Sequence, residues 1–238
     1  MAVTVGTPVI GLYAHSNPKR TGPYLYQEYV VEVYHQNLRE QTGKTAQQLP
    51  WGTRVKGADL MAQINRDGVV NIDHGYVYKP EEFEFVPGVF EACKAFADAG
   101  YKIVVVTNQS GIGRGYYSEQ DFSNLTEWMK GEFLSNGVTI LDVYFCPHHP
   151  SKAEPSYLQE CNCRKPAPGM LLQAIDEHQI DPSQSIMVGD KLGDLIAAER
   201  ANIATRVLVR SGQSYAESTE QHADIVCESL ADLPNLYL

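Results

Sequence analysis

The sequence predicts an α/β fold, a parallel sheet with helices on both faces. Three observations carry that expectation. From about residue 81 onward, segments of helical period alternate with short apolar runs joined by brief connections. The runs IVVV (103–106) and IMV (186–188) are continuously apolar rather than alternating, as strands covered on both faces require. After each of these runs the chain turns polar, in the place where open α/β sheets bind their ligands.

Taken in order, VPGVFEACKAFADAG (86–100) is helical in period and stops at Gly100, and YKIVVVTNQSG (101–111) is a buried strand opening into a polar loop. SEQDFSNLTEWMKGEF (118–133) reads as a helix capped by Ser118. LDVYFCP (141–147) is a short strand, PGMLLQAIDEH (168–178) a helix with Pro168 in its first turn, and SIMVGD (185–190) a second buried strand. LGDLIAAERAN (192–202) and TRVLVRSG (205–212) add a helix and a strand. The first 65 residues do not share this rhythm. Residues 2–24 read as helix end, turn and strand, residues 24–43 as an amphipathic helix, and residues 48–64 as loop and tail.

With 19 Lys and Arg against 29 Asp and Glu, the 238-residue chain has a formal charge of -10. Neither nucleic acid nor an anionic membrane selects such a balance, so any phosphate site must be locally basic. The length suits one sizeable α/β domain plus an appendage. No apolar run of about 18 residues, the length a membrane span needs, occurs. The chain is expected to be a cytoplasmic monomer.

Four groups of residues carry chemistry. Thr107, Asn108, Gln109 and Ser110 follow a buried strand, and a hydroxyl beside successive backbone N–H groups cradles phosphate, although an ordinary polar turn looks the same. Arg164 and Lys165 precede a helix and could face a bound anion, or form surface ion pairs. Asp190, Lys191 and Asp194 follow another buried strand, where a carboxylate can hold Mg²⁺ or cap a helix. The five cysteines make a poor disulfide framework, being odd in number. Cys146 with His148, and Cys161 with Cys163, instead supply three thiolates and one imidazole, the closed tetrahedral set of a structural Zn²⁺ site. Buried free thiols beside a surface histidine are the alternative, and His149 is expected in solvent.

NRDGVVNIDHGYVY, VVVTNQSGIGRG, LTEWM, YFCPHHP, CNCRKPAPGM and MVGDKLGD, in this order and spacing, resemble the D-glycero-D-manno-heptose 1,7-bisphosphate 7-phosphatases of the haloacid dehalogenase (HAD) superfamily. The resemblance covers about residues 65–238. It implies a HAD-like Rossmannoid sheet with a zinc-binding loop, and hydrolysis of the 7-phosphate of that sugar bisphosphate in lipopolysaccharide heptose biosynthesis. In such enzymes the first Asp of an hhhhDRDG motif attacks phosphorus. The second protonates the leaving oxygen and later activates water, with Mg²⁺ held by both and by a later Asp. By resemblance Asp67 is the acid/base, and Asp67 and Asp190 hold Mg²⁺. Thr107 to Ser110 form the phosphate loop, Arg164 and Lys165 the anion clamp, Asp73, His74, Gly75 and Tyr76 a substrate-contacting turn, and Lys191 a further phosphate contact.

Asn65 stands at the nucleophile position. A carboxamide is a poor nucleophile toward phosphorus, so the covalent step should be lost while phosphate binding survives. The strand before it, ADLMAQI (58–64), is atypical for the middle of a parallel sheet, because it contains Asp59 and Gln63. Either this segment or PVIGLY (8–13) is expected to fill the central slot, leaving the site end looser than the zinc end. Residues 1–64 resemble the carboxyl-terminal end of a heptosyltransferase-type glycosyltransferase without its donor-binding loop, which implies a junction near residues 62–65. The competing functions are therefore a Mg²⁺-dependent sugar bisphosphate phosphatase, and a non-catalytic sugar-phosphate-binding relative or inactive fusion product.

Overall fold

The computed structural model describes residues 11–13, 30–32 and 60–238. The chain divides into two compact units, Met1–Ala58 and Asp59–Leu238. In the first, strands β1 (Gly11–Tyr13) and β2 (Val30–Glu32) pair in parallel. β2 falls inside the stretch expected to be an amphipathic helix. The adjacent β-branched Val30 and Val31 suit a strand better than a helix, and here that local preference prevails over helical spacing. The remainder of the helix and loop expectations for residues 14–59 lies outside the described residues, as does Asp59.

The second unit is built on β3 (Leu60–Ile64), β4 (Tyr101–Asn108), β5 (Ile140–Cys146), β6 (Ile186–Gly189), β7 (Thr205–Val209) and β8 (Ile225–Cys227). They form one sheet in the order β5-β4-β3-β6-β7-β8. Every pairing is parallel. Helices α1 (Val89–Asp98), α2 (Ser110–Gly113), α3 (Glu119–Ser135), α4 (Gly169–His178), α5 (Leu192–Arg200) and α6 (Leu233–Tyr237) complete it. Parallel strands need crossovers, and the alternation of strand and helix along the sequence supplies them.

Alternate residues of the central strands enter two separate cores. Ala62, Ile64, Ile103 and Val105 pack with Phe96 of α1 and with Leu125, Met129 and Phe133 of α3. Met61, Val104, Val106 and Met187 pack with Met170, Leu171 and Ala174 of α4 and with Ala197 and Ala198 of α5. α3 begins where expected, because the Ser118 side chain accepts from Asp121 N while Asp121 caps Ser118 N in return. Among the described residues no helix is long and apolar enough to cross a membrane.

β3 takes the central slot, hydrogen-bonded to β4 on one side and β6 on the other, so ADLMAQI rather than PVIGLY supplies it. The division between units accordingly lies at residues 58/59, ahead of the expected 64/65, since the residues of β3 are held by their sheet neighbours. The irregularity expected of this strand is concentrated in one side chain. Gln63 is 0% exposed, in register with Val104 and Met187, and neither its amide nitrogen nor its oxygen has a hydrogen-bond partner. A buried polar group left in this condition costs about 1–3 kcal/mol. The main chain of β3 does not share the defect, and its ladder continues with Asn65 N donating to Val188 O at 2.9 Å.

Candidate active site

The carboxyl ends of β3, β4 and β6, with the loop before α4, open into one cleft. Two adjoining cavities of about 210 and 220 Å³ occupy it, with Asp67, Asn108, Ser110 and Lys191 lining both. Continuously apolar strands that end abruptly in polar residues generate such a site, because the side chains with no place in the core emerge together at the sheet edge.

Asp67 sits in a tight turn off β3. Its Oδ1 accepts from Arg66 Nε and Nη2 at 3.1 and 2.7 Å and from Asn71 Nδ2 at 3.4 Å. Its Oδ2 accepts from Gln109 Nε2 at 3.1 Å and from Thr107 Oγ1 at 3.4 Å. The turn needs Gly68, which has φ +85° and would carry a Cβ 2.6 Å from Asp190 Oδ2.

Asn65 lies between two kinds of neighbour. Its Oδ1 accepts from Lys165 Nζ at 2.9 Å and from Arg66 N at 3.0 Å. Its Nδ2 donates to Asp190 Oδ1 at 2.8 Å and to the Asp67 carbonyl at 2.9 Å. Lys165 is almost wholly buried, with its ammonium also donating to Val106 O at 2.8 Å and paired with Asp194 Oδ1 at 2.7 Å. Asn108 positions the Lys165 backbone, accepting from Lys165 N at 3.0 Å and donating to its carbonyl at 3.1 Å.

Asp190 is 0% exposed. Burial and, after it, the charge of Asp194 push its carboxyl up to about 6, against the opposing influence of Lys191, the Asn65 hydrogen bond and Lys165. Lys191 reaches Asp190 Oδ2 at 3.5 Å and Asp73 Oδ2 at 3.2 Å. Although burial pulls the Lys191 amine down, the Asp190 and Asp73 carboxylates outweigh it and hold the amine above its ordinary range.

Most of the expected residues meet in this cleft. Asp73, Gly75 and Tyr76 line the smaller cavity, while Arg164 lines the other with Lys165 and Thr107. His74 departs from the expectation. It pairs with Glu84 at 3.1 Å and lines a neighbouring open depression of about 790 Å³ instead. Gly75, with φ +80°, and Tyr76 line both this depression and the smaller cavity. Arg66, Tyr117 and Gln213, none of them among the residues the sequence singles out, also line the smaller cavity. Asp194 was recognisable only as a candidate, yet its Oδ2 accepts from Asp190 N and Lys191 N at 3.2 and 3.1 Å and so shapes the turn. The alternation of Asp and Lys there gave a signal for it, whereas nothing local marked Tyr117, which donates to Gln109 Oε1 at 2.5 Å.

Beside the cleft, Cys146, His148, Cys161 and Cys163 turn their ligand atoms toward one point, all within 4.8 Å of one another. The donor chemistry fits Zn²⁺, three sulfurs and one imidazole nitrogen with no oxygen among them. His149 stands apart, its Nδ1 accepting from Ser151 N and Lys152 N. Arg164 Nη1 donates to His148 O at 3.2 Å, tying this cluster to the loop that carries the cleft cations.

The HAD-hydrolase-like family model matches residues 162–233. The chain is 52% identical over 171 residues to the D-glycero-beta-D-manno-heptose-1,7-bisphosphate 7-phosphatase of Haemophilus ducreyi, covering 71% of this chain and 93% of that protein. It is 49% identical over 175 residues to the Vibrio cholerae protein of the same name, covering 74% and 94%. Among solved structures, the D,D-heptose 1,7-bisphosphate phosphatase of B. bronchiseptica, complexed with magnesium and phosphate, superposes with a TM-score of 0.63 at 30% identity, covering 74% of this chain and 97% of that one. Identical to these relatives at about half of the aligned positions, along nearly their whole length, this chain belongs to the heptose 1,7-bisphosphate 7-phosphatase family of HAD-type phosphatases.

Proposed function

We propose that this cleft binds a small sugar bisphosphate and derives from one that hydrolyses the 7-phosphate of D-glycero-D-manno-heptose 1,7-bisphosphate, with Asn65 in place of the group that attacks phosphorus. The observation that carries the reading is the convergence of Asn65, Asp67, Thr107 and Lys165 on one cleft, with the buried Asp190 hydrogen-bonded to Asn65, in a chain so similar to phosphatases named for that substrate. Thr107, Ser110, Lys165, Arg164 and Lys191 supply hydroxyls and cations for the phosphate. Asp67, fixed by Arg66 and Gln109, is placed to hold and move a proton at the ester oxygen. Asp73, Gly75 and Tyr76 face the sugar.

HAD phosphatases use Mg²⁺. The Cys146, His148, Cys161 and Cys163 cluster would hold Zn²⁺ as a structural ion, fixing the loop that carries Arg164 and Lys165. Residues 1–64 are read as a segment derived from the carboxyl-terminal end of a heptosyltransferase-type glycosyltransferase. The protein acts in the cytoplasm as a monomer.

An Asn cannot form the aspartyl phosphate, so binding should persist while turnover falls away. The test is phosphate release from heptose 1,7-bisphosphate. No measurable release by the unmodified chain, with release restored in part by Asn65→Asp, is the expected result. Many turnovers by the unmodified chain, abolished by Asp67→Asn, would show that Asn65 does not end the reaction.

A further inference from the structure

The side-chain amide of Asn65 bridges two oxygens, Asp190 Oδ1 and the Asp67 carbonyl, at 2.8 and 2.9 Å. We propose that this N–H group takes the place of a divalent cation between those oxygens, so that the cleft binds phosphate esters without Mg²⁺. The proposal rests on the reading of the cleft as a phosphate site.

The orientation of the carboxamide is dictated by its neighbours. Both partners of Oδ1, the Lys165 ammonium and Arg66 N, are donors, and both partners of Nδ2 are acceptors. Turning the amide over to offer its oxygen to a cation would set an NH₂ group against two buried donors. Lys165 cannot withdraw, because Val106 O and Asp194 Oδ1 hold the same ammonium at 2.8 and 2.7 Å. Asp190 cannot withdraw either. It is 0% exposed and walled by Gly68 and Gly212, each so close that a Cβ would lie 2.6 or 2.3 Å from its carboxylate. Mg²⁺ demands near-octahedral oxygen ligation at about 2.0–2.1 Å, and the point flanked by these two oxygens presents N–H donors instead. The residues as they stand do not fit the ion.

Charge leads to the same conclusion. Asp67, Asp73, Asp190 and Asp194 face Arg66, Arg164, Lys165 and Lys191, four carboxylates against four cations. With a neutral residue at 65 the set balances without a metal. An Asp there would add a negative charge that a divalent ion offsets.

Calorimetric titration of Mg²⁺ into the unmodified chain, Asn65→Ala and Asn65→Asp tests the proposal, alongside titration of inorganic phosphate in EDTA and in Mg²⁺. Removing the amide frees both oxygens, so Asn65→Ala should bind Mg²⁺ about tenfold or more tighter than the unmodified chain, the size of effect that changes around a metal site produce. Asn65→Asp should bind it tightest, and phosphate should bind the unmodified chain equally in EDTA and in Mg²⁺. An Asn65→Ala variant that binds Mg²⁺ no better than the unmodified chain overturns the proposal, as does phosphate binding that disappears in EDTA. Should Asn65→Asp fail to fold, the Ala comparison decides alone. Absence of phosphate binding in both conditions counts against the proposed sugar-phosphate site, while the Mg²⁺ ranking still decides the role of the amide.

Discussion

The end of β3 and the Cys/His cluster lie at opposite extremes of chemical completeness. At the cluster every donor that a structural zinc site requires is present and convergent. At the end of β3 the frame is equally well formed, with parallel partners on both sides and a carboxamide hydrogen-bonded through both its oxygen and its nitrogen, yet on the proposed reading the carboxylate oxygen that would attack phosphorus is missing. The difference teaches that frame and reaction depend on different atoms. A parallel ladder is a main-chain property, so β3 tolerates a polar Gln63 and an Asn65 without losing its slot. In-line attack depends on one side-chain oxygen and tolerates no such exchange.

The sharpest way to break this comparison is to restore the oxygen. Asn65→Asp should raise phosphate release by about a thousandfold or more, since a missing nucleophile ordinarily accounts for losses of at least that order. Failure of the variant to gain any activity, in protein that folds, would place the larger defect in β3 itself. At the other region the expected change is in stability. Metal analysis should find one zinc per chain, and Cys161→Ser or chelation should lower stability by several kcal/mol, because metal binding at such a site is also folding free energy. Zinc-free protein whose stability the substitution leaves untouched would remove the cluster from the account.

A third expectation concerns Asp190, whose folded-state carboxyl is pushed up to about 6 from 3.8. The folded chain therefore keeps a proton that the unfolded chain has released. Stability should fall as pH rises through that window and then level off, by an amount on the order of 3 kcal/mol. Denaturant titrations between pH 4 and 7, values set by that window, should show the fall in the parent and a flatter profile in Asp190→Asn. A parent that gains stability over the window relative to Asp190→Asn would reverse the sign. The smallest effect is at Gln63. Gln63→Met keeps the length and removes both unpaired atoms, so it should stabilise the domain by about 1–2 kcal/mol. Destabilisation would mean that the amide has partners in solution.

Much of this was legible because the relevant signals are local. Apolar runs ending in TNQS and GDK mark strand ends whatever their partners are, RK stands just ahead of a helix, and paired Cys and His spacing marks ligands before any fold is known. What escaped depends on distant neighbours. Arg66 is adjacent to both Asn65 and Asp67, but its value as an anchor for Asp67 comes from the Val77 carbonyl, which accepts from its Nη2 at 2.9 Å. Tyr117 reaches Asp67 through Gln109, and Gln213 reaches the site because β7 ends beside β6. His74 lines the depression beside the cleft with Gly75 and Tyr76 while Asp73 lines the cleft, a division that sequence adjacency does not reveal. Residues 30–32 misled because helical spacing and β-branched preference conflict there, and the stretch is too short for periodicity to decide.

The central claim is that this chain holds its sugar bisphosphate and does not cleave it. Phosphorus NMR of heptose 1,7-bisphosphate, with the unmodified chain in molar excess over the sugar, tests it directly. The account predicts that both phosphate resonances shift or broaden on binding and that no inorganic phosphate signal grows in with time. Stoichiometric appearance of inorganic phosphate and loss of the 7-phosphate resonance would contradict it.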